Sequence, residues 1–176
     1  PWRGSTLLEY QINSLLGGGV SQVVAVLGYR AETLRPLIQD IPGVLTVLNL
    51  RYRTGKASSI RAGLRRLGQQ EQVILVLSVD QPRSSSFVRR IVDEHKRSGS
   101  LVTYPVYQGR GGHPVAFSSS LIPELLNIRE SRQGLREVVT RHQSQALRLN
   151  VTLSEAVVDL NQDEDYRLAM PGASSK

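Results

Sequence analysis

At 176 residues, 40% apolar and 21% charged, the chain suits one soluble globular domain with a real core; no apolar run approaches bilayer-spanning length. Cysteine is absent, which excludes disulfides, thiolate metal sites and cysteine nucleophiles and fits a reducing, cytoplasmic setting without membrane. A net charge of +7 serves nucleic acid or a polyanionic small substrate alike; the basic residues are scattered and aromatics are only 5%, so nucleic acid is the weaker reading.

The chain opens at Pro1 inside what reads as an element, so a preceding segment is expected. Ser5 or Thr6 can cap a helix running to about Leu16, and Gly17, Gly18 and Gly19 end it. Val23 to Leu27 reads as a buried strand with Gly28 and Tyr29 at its exit. A helix over about 31–39 follows, strained or shortened by Pro36. Val44 to Leu48 is the next strand and ends on Asn49; a polar loop then leads into a helix over about 58–67.

The central stretch is QVILVLSVDQP, residues 72–82. Val73 to Val79 is β-branched and apolar, reads as a strand buried on both faces, and ends on Asp80 before Pro82 stops the ladder. A carboxylate there stands at the carboxyl edge of a parallel sheet, where open α/β folds bind ligands, although taken alone an ordinary strand-end Asp capping the next helix is the commoner case. A helix over about 85–97, a strand over 101–106, the loop QGRGGHP and a strand over 115–117 come next. Helices over about 120–127 and 133–142, strands over 146–151 and 156–160, and a closing helix complete the chain. His95 and His142 are expected to be solvated. Strands alternating with helices imply a mostly parallel sheet covered on both faces.

Four strand-end loops can converge on one crevice: Gly28-Tyr29, Asn49 through Arg61, Asp80-Gln81-Pro82 and Asp159-Leu160-Asn161. Gly55 to Arg61 offers backbone amides, hydroxyls and a cation at a helix start, the groups an anion needs; Ser58 serves equally well as a simple cap. It is not a P-loop, lacking the second Gly followed by Lys and Ser/Thr. His113, fixed in extended backbone by Pro114, can shape an acceptor pocket, although composition alone favours a hairpin turn. Asp159 and Asn161 can both offer oxygen to a hard cation. No Ser-His-Asp set or zinc spacing is present.

Taken together, Gly28-Tyr29, Asn49 with Gly55 to Leu64, Asp80 to Pro82, Gly112 to Phe117 and Asp159 to Tyr166 keep one order over roughly residues 3–168. That order resembles the molybdenum cofactor cytidylyltransferases. The resemblance implies an α/β, Rossmann-like nucleotidyltransferase fold: a GT-A-like three-layer sandwich with a mostly parallel sheet, one domain over residues 1–170 and a disordered tail over 171–176. It implies Mg²⁺-dependent transfer of CMP from CTP to the terminal phosphate of molybdopterin, with pyrophosphate released and a molybdoenzyme or its chaperone as a further partner. Asp80 and Arg61 take catalytic places, and Asp80, Asp159 and Asn161 the metal side. Gly28, Tyr29, Asn49, Gly55, Lys56, Ser58 and Ser59 face the nucleotide; Gly112, His113 and Pro114 face the acceptor.

Two departures stand out. The family's opening strand and its L-A-A-G-x-S-x-R-x-G-x-x-K loop do not occur in this sequence, so its first strand is expected to be missing and the chain as it stands inactive. Val79 replaces a common Gly, and Lys56 a common Met, adding a possible phosphate contact. A different nucleotide, a sugar-phosphate acceptor, or a non-catalytic nucleotide- or nucleic-acid-binding module remain alternatives.

Overall fold

The computed structural model describes Trp2, residues 4–68 and residues 72–169. Helix α1 spans Leu7–Gly17. Thr6, not Ser5, caps it through a reciprocal box: the Glu9 N–H donates to Thr6 Oγ1 at 3.2 Å and the Thr6 N–H to Glu9 Oε2 at 2.9 Å. The left-handed turn that ends it falls on Gly19, at φ +91°. Strands β1 (Val23–Leu27) and β2 (Val44–Leu48) pair in parallel, Val23 opposite Val44 through Leu27 opposite Leu48. Between them α2 (Ala31–Leu34) gives way to a 3₁₀ turn over Arg35–Leu37, because Pro36 has no N–H to continue an α-helix.

Helix α3 covers Lys56–Leu64 and starts two residues before the expected Ser58, on Gly55 at φ +107°. Strand β3 is Val73–Val76 and α4 is Ser85–Ser98, capped by Ser84 and closed by Gly99 at φ +63°. Strand β4 (Val102–Tyr107) turns through Gln108 and Gly109, at φ 47° and 81°, into β5 (Arg110–Gly111). Two successive positive φ values are what a tight two-residue hairpin requires. Then follow β6 (Val115–Ser118), α5 (Ile122–Leu125), α6 (Leu135–Arg141), β7 (Ala146–Asn150) and α7 (Asp163–Ala169).

The expected parallel pairing holds for β1–β2 and β4–β7, whereas β6 runs antiparallel to both β3 and β4. The β4–β5 hairpin reverses the chain and delivers β6 between its neighbours. Period-two alternation then builds two faces. Ile74, Val115 and Phe117 point to one core with Ala57, Leu64, Leu125 and Val138 of α3, α5 and α6. Val73, Leu75 and Ala116 point to the other, against Phe87 and Ile91 of α4. Each fully buried Phe contributes about 1.5–3 kcal/mol. A third core joins Ile12 of α1, β1 and Ile38. Helices on both faces of the sheet make the three-layer α/β sandwich.

The strands form two separate sheets. Among the described residues β1 pairs only with β2, and β3 only with β6. A cleft of about 1,200 Å³ lies between, walled by Val23–Leu27 and by residues 72–79. For this reason β3 is shorter than its apolar run and only Ile74 in it is buried: its ladder stops at Val76, opposite Val115, and its other edge opens on the cleft.

Three further expectations are corrected. Residues 156–160 are not a strand; a 3₁₀ turn over Ser154–Val157 runs into irregular backbone, because the Ala156 carbonyl accepts from His113 rather than from a ladder. His95 is not solvated but 4% exposed, its Nδ1 2.8 Å from Thr103 Oγ1. His142 is partly buried, with Nε2 3.0 Å from Glu124 Oε1. No described helix is long and apolar enough to cross a membrane. The tail over 171–176 lies outside the described residues.

Candidate functional site

Asp80 follows directly on Val79, the last residue of that segment on the cleft wall. Its turn is fixed from within: the Gln81 N–H donates to the Ser78 carbonyl at 3.1 Å, and the Ser78 N–H to Gln81 Oε1 at 3.2 Å. The Leu160 N–H donates to the Asp80 carbonyl at 2.7 Å, which sets the 159–161 segment beside this turn. Gln81 Nε2 donates to Asp159 Oδ1 at 2.8 Å. Asp80 and Asp159 therefore stand on neighbouring backbone, and both act electrostatically on His113 and on Arg83.

Arg83 is wholly buried. Its Nε donates to the His113 carbonyl at 2.8 Å, Nη1 to the carbonyls of Pro82 at 2.9 Å and Val158 at 3.0 Å, and Nη2 to the Ala156 carbonyl at 3.0 Å. Burial pushes its pKa down to about 10, against the opposing pull of Asp159, Glu155 and Asp80, so it remains a cation at neutral pH. Gln11 of α1 continues the network: its Nε2 donates to the Gln81 carbonyl at 2.6 Å, and its Oε1 accepts the Arg83 N–H at 3.1 Å.

Opposite Asp159, the Gly112 backbone crosses Ala156 so closely that a Cβ on Gly112 would lie 2.0 Å from the Ala156 carbonyl oxygen. The His113 N–H donates to that same oxygen at 2.9 Å, and a cis peptide joins His113 to Pro114. Burial first, and then the Arg83 charge, hold the imidazole below its ordinary pKa, and Lys56 adds to this. Its Nδ1 is buried without a hydrogen-bond partner among the described residues.

The α3 end differs from the expected phosphate cradle. The Ala57 N–H donates to Glu130 Oε2 at 2.9 Å, so a carboxylate of the chain covers this helix start. A Cβ on Gly55 would come within 2.5 Å of the same Glu130 side chain. Ser58 lies inside the helix rather than at its cap; its hydroxyl donates to the Arg51 or Gly55 carbonyl and accepts from Asn49 Nδ2. Asn49 Nδ2 also reaches Ser59 Oγ at 3.0 Å. Arg61 is committed to the Ile128 carbonyl. Gly28 abuts Tyr52, whose ring a Cβ would meet at 2.5 Å, while Tyr29 is 63% exposed.

The expected residues thus divide. Asp80, Asp159, His113 and Lys56 share one electrostatic neighbourhood, with Asn161 next to it in the chain. Lys56, Ser59, Gly112 and His113 line the cleft; Gly28, Tyr29, Asn49, Gly55, Ser58, Arg61 and Pro114 do not, and Asp80, Asp159 and Asn161 lie beyond its lining, past Val79. Gln11, Arg83 and Glu130 carry no signal of their own in the sequence motifs, and Gln81 enters there only as part of the Asp80 loop. Outside those motifs, a glutamine within the apolar face of α1 was the one available signal.

No group of three or more His, Cys, Asp or Glu among the described residues forms a closed metal cage. The donor set still fits Mg²⁺, which keeps several waters and takes one or two carboxylates plus substrate phosphates. Asp80 and Asp159 would supply those carboxylates, and the bound cation would offset phosphate charge.

A model of the MobA-like NTP transferase domain matches residues 1–146. Nicotine blue oxidoreductase of Paenarthrobacter nicotinovorans is 31% identical over 142 residues, 77% of this chain and 69% of that protein. The crystal structure of Rv0371c from Mycobacterium tuberculosis superposes with a TM-score of 0.81 at 26% identity, covering 96% of this chain and 85% of that one. Its manganese complex gives a TM-score of 0.78 over 96% and 88% of the two chains, also at 26% identity. Molybdopterin-guanine dinucleotide biosynthesis protein A of Archaeoglobus fulgidus shares the fold at a TM-score of 0.59 and 16% identity, over 96% and 86% of the two chains.

Proposed function

The chain belongs to the MobA-like NTP transferase family, and on that premise we propose that it serves Mg²⁺-dependent transfer of CMP from CTP to the terminal phosphate of a molybdopterin. The enzyme class, nucleotidyltransferase, is that of the family. The observation that carries the metal-assisted transfer is the closeness of the Asp80 and Asp159 segments across the Leu160-to-Asp80 hydrogen bond, beside His113 and Lys56; the choice of CTP and a pterin acceptor rests on the sequence resemblance. Such a site needs no protein nucleophile: an acceptor phosphate attacks the α-phosphorus in line and pyrophosphate departs, while the site positions both and balances their charge. Asp80, Asp159 and Asn161 would hold the cation side, and the manganese complex of the Mycobacterium tuberculosis neighbour supports the use of a divalent ion. Lys56 offers a cation to phosphate. His113, neutral at pH 7, faces the acceptor as a hydrogen-bonding group rather than a charge.

The decisive experiment is a nucleotide panel on the full-length protein with molybdopterin or sugar phosphates as acceptors, scored by pyrophosphate release. CTP with molybdopterin is expected to lead; another pair leading would replace the cytidylyl assignment and keep the chemistry. The relative named for an oxidoreductase favours a second reading, a redox activity. Redox turnover with no pyrophosphate from any nucleotide would favour it. Salt-steep binding to nucleic acid without pyrophosphate would favour a non-catalytic module.

A further inference from the structure

Arg83 sits three residues past Asp80 with no solvent exposure, and no carboxylate lies within ion-pairing distance of it among the described residues. A buried cation whose hydrogen bonds all go to carbonyl oxygens, with Asp159, Glu155 and Asp80 acting on it only from a distance, is costly unless those bonds do something that an apolar side chain cannot. All four of them go to main-chain oxygens, and those oxygens belong to three separate segments: Pro82 on the Asp80 turn, His113 on the acceptor turn, and Ala156 with Val158 leading to Asp159. The planar guanidinium presents its donors in a fixed fork, so satisfying four carbonyls fixes the three segments relative to one another. Gln81 completes the arrangement by holding Asp159 Oδ1 directly at 2.8 Å, and Gln11 anchors both residues to α1.

We infer that Arg83 and Gln81 are positioning residues: a buried clamp that sets the Asp80 and Asp159 carboxylates at the spacing a divalent cation needs. The inference rests on the cation reading given above. Neither residue is itself assigned to the cation: Arg83 acts through the backbone that carries Asp80 and Asp159, and Gln81 through its bond to Asp159 Oδ1. The arrangement also explains why Gly112 must be glycine, since the Ala156 carbonyl accepts from Arg83 and His113 together and leaves no space for a Cβ.

The test is Mn²⁺ binding to the full-length protein, followed by electron paramagnetic resonance well below each variant's melting temperature, with circular dichroism to verify the fold. Outer-shell partners of metal ligands typically govern roughly 10–100-fold in affinity. Arg83→Lys keeps the charge but loses the fork, and is expected to weaken Mn²⁺ by about tenfold or more. Gln81→Leu is expected to weaken it by a similar factor and carries the test alone should Arg83→Lys fail to fold. A residue serving only packing would lower the melting temperature and leave the dissociation constant of the folded protein unchanged. Folded variants with wild-type Mn²⁺ affinity would therefore overturn the clamp while the cation reading stood. Asp80→Asn separates the two ideas: if it binds Mn²⁺ like the wild type, the cation reading falls, and the clamp with it.

Discussion

Around Asp80 the chain uses buried glutamines and an arginine to fix two acids in place, whereas around Gly55 it lays an acid of its own over the amide of a helix start. The first region is finished before any ligand arrives: Arg83 is satisfied by four carbonyls and Asp159 by Gln81. The second is closed upon itself, with the Ala57 N–H taken by Glu130 and Ser58 turned back to Asn49, Arg51 and Gly55. An anion reaching for the α3 amide must first displace a carboxylate. On the proposed reading, the asymmetry gives the cation end its shape in advance and leaves the phosphate end to answer to its ligand.

The largest test of that contrast is Asp80→Ala in the full-length protein. Several kcal/mol of charge stabilisation should vanish, so pyrophosphate release is expected to fall about a thousandfold with the circular dichroism spectrum unchanged. Undiminished release would remove Asp80 from the chemistry. Next comes Gly112→Ala, which forces a Cβ against the Ala156 carbonyl. Overpacking of this kind costs about 2–3 kcal/mol, read as a lower midpoint in urea. An unchanged midpoint would mean the acceptor turn is free to move. At the other end, Glu130→Gln keeps a hydrogen-bond acceptor for Ala57 and deletes the charge. Loss of about 0.3–1 kcal/mol of stability is expected, together with tighter binding of inorganic triphosphate by calorimetry. If neither quantity moves, Glu130 does not compete with phosphate.

The smallest effect lies outside both regions. Burial lowers the pKa of His95 in the folded state, so the unfolded chain, with an ordinary value near 6.5, takes up the proton first. The stability contributed by the neutral imidazole is therefore complete above about pH 6.5 and declines as pH falls through the folded value. His95→Gln should flatten that slope in urea unfolding followed between pH 7 and pH 5. An equal slope in both proteins would show that His95 does not control it.

What could be read without coordinates follows from range along the chain. Val23–Leu27 and Val44–Leu48 are legible to the residue because β-branched runs bounded by glycine or polar breaks carry their own limits. Asp80 is expected at the end of such a run, but stands in a turn four residues past Val76, where β3 stops. The apolar run from Val73 says nothing of where pairing ends, and that is decided by Val115, about forty residues on. The roles of Arg83, Gln81 and Glu130 escaped notice because each acts on groups roughly thirty to eighty positions away, and no local spacing encodes such a contact. Arg61 and Ser58 were placed correctly on α3, yet their side chains turn to Ile128 and Asn49 instead of the cleft.

The divided sheet has a consequence for handling the protein. Each border of the gap is a row of backbone donors and acceptors backed by valine and leucine, with no lysine or proline along β1 or β3 to discourage docking by another molecule. Such rims template intermolecular ladders. Sedimentation velocity of this chain should therefore reveal assembly that grows with concentration and reverses on dilution.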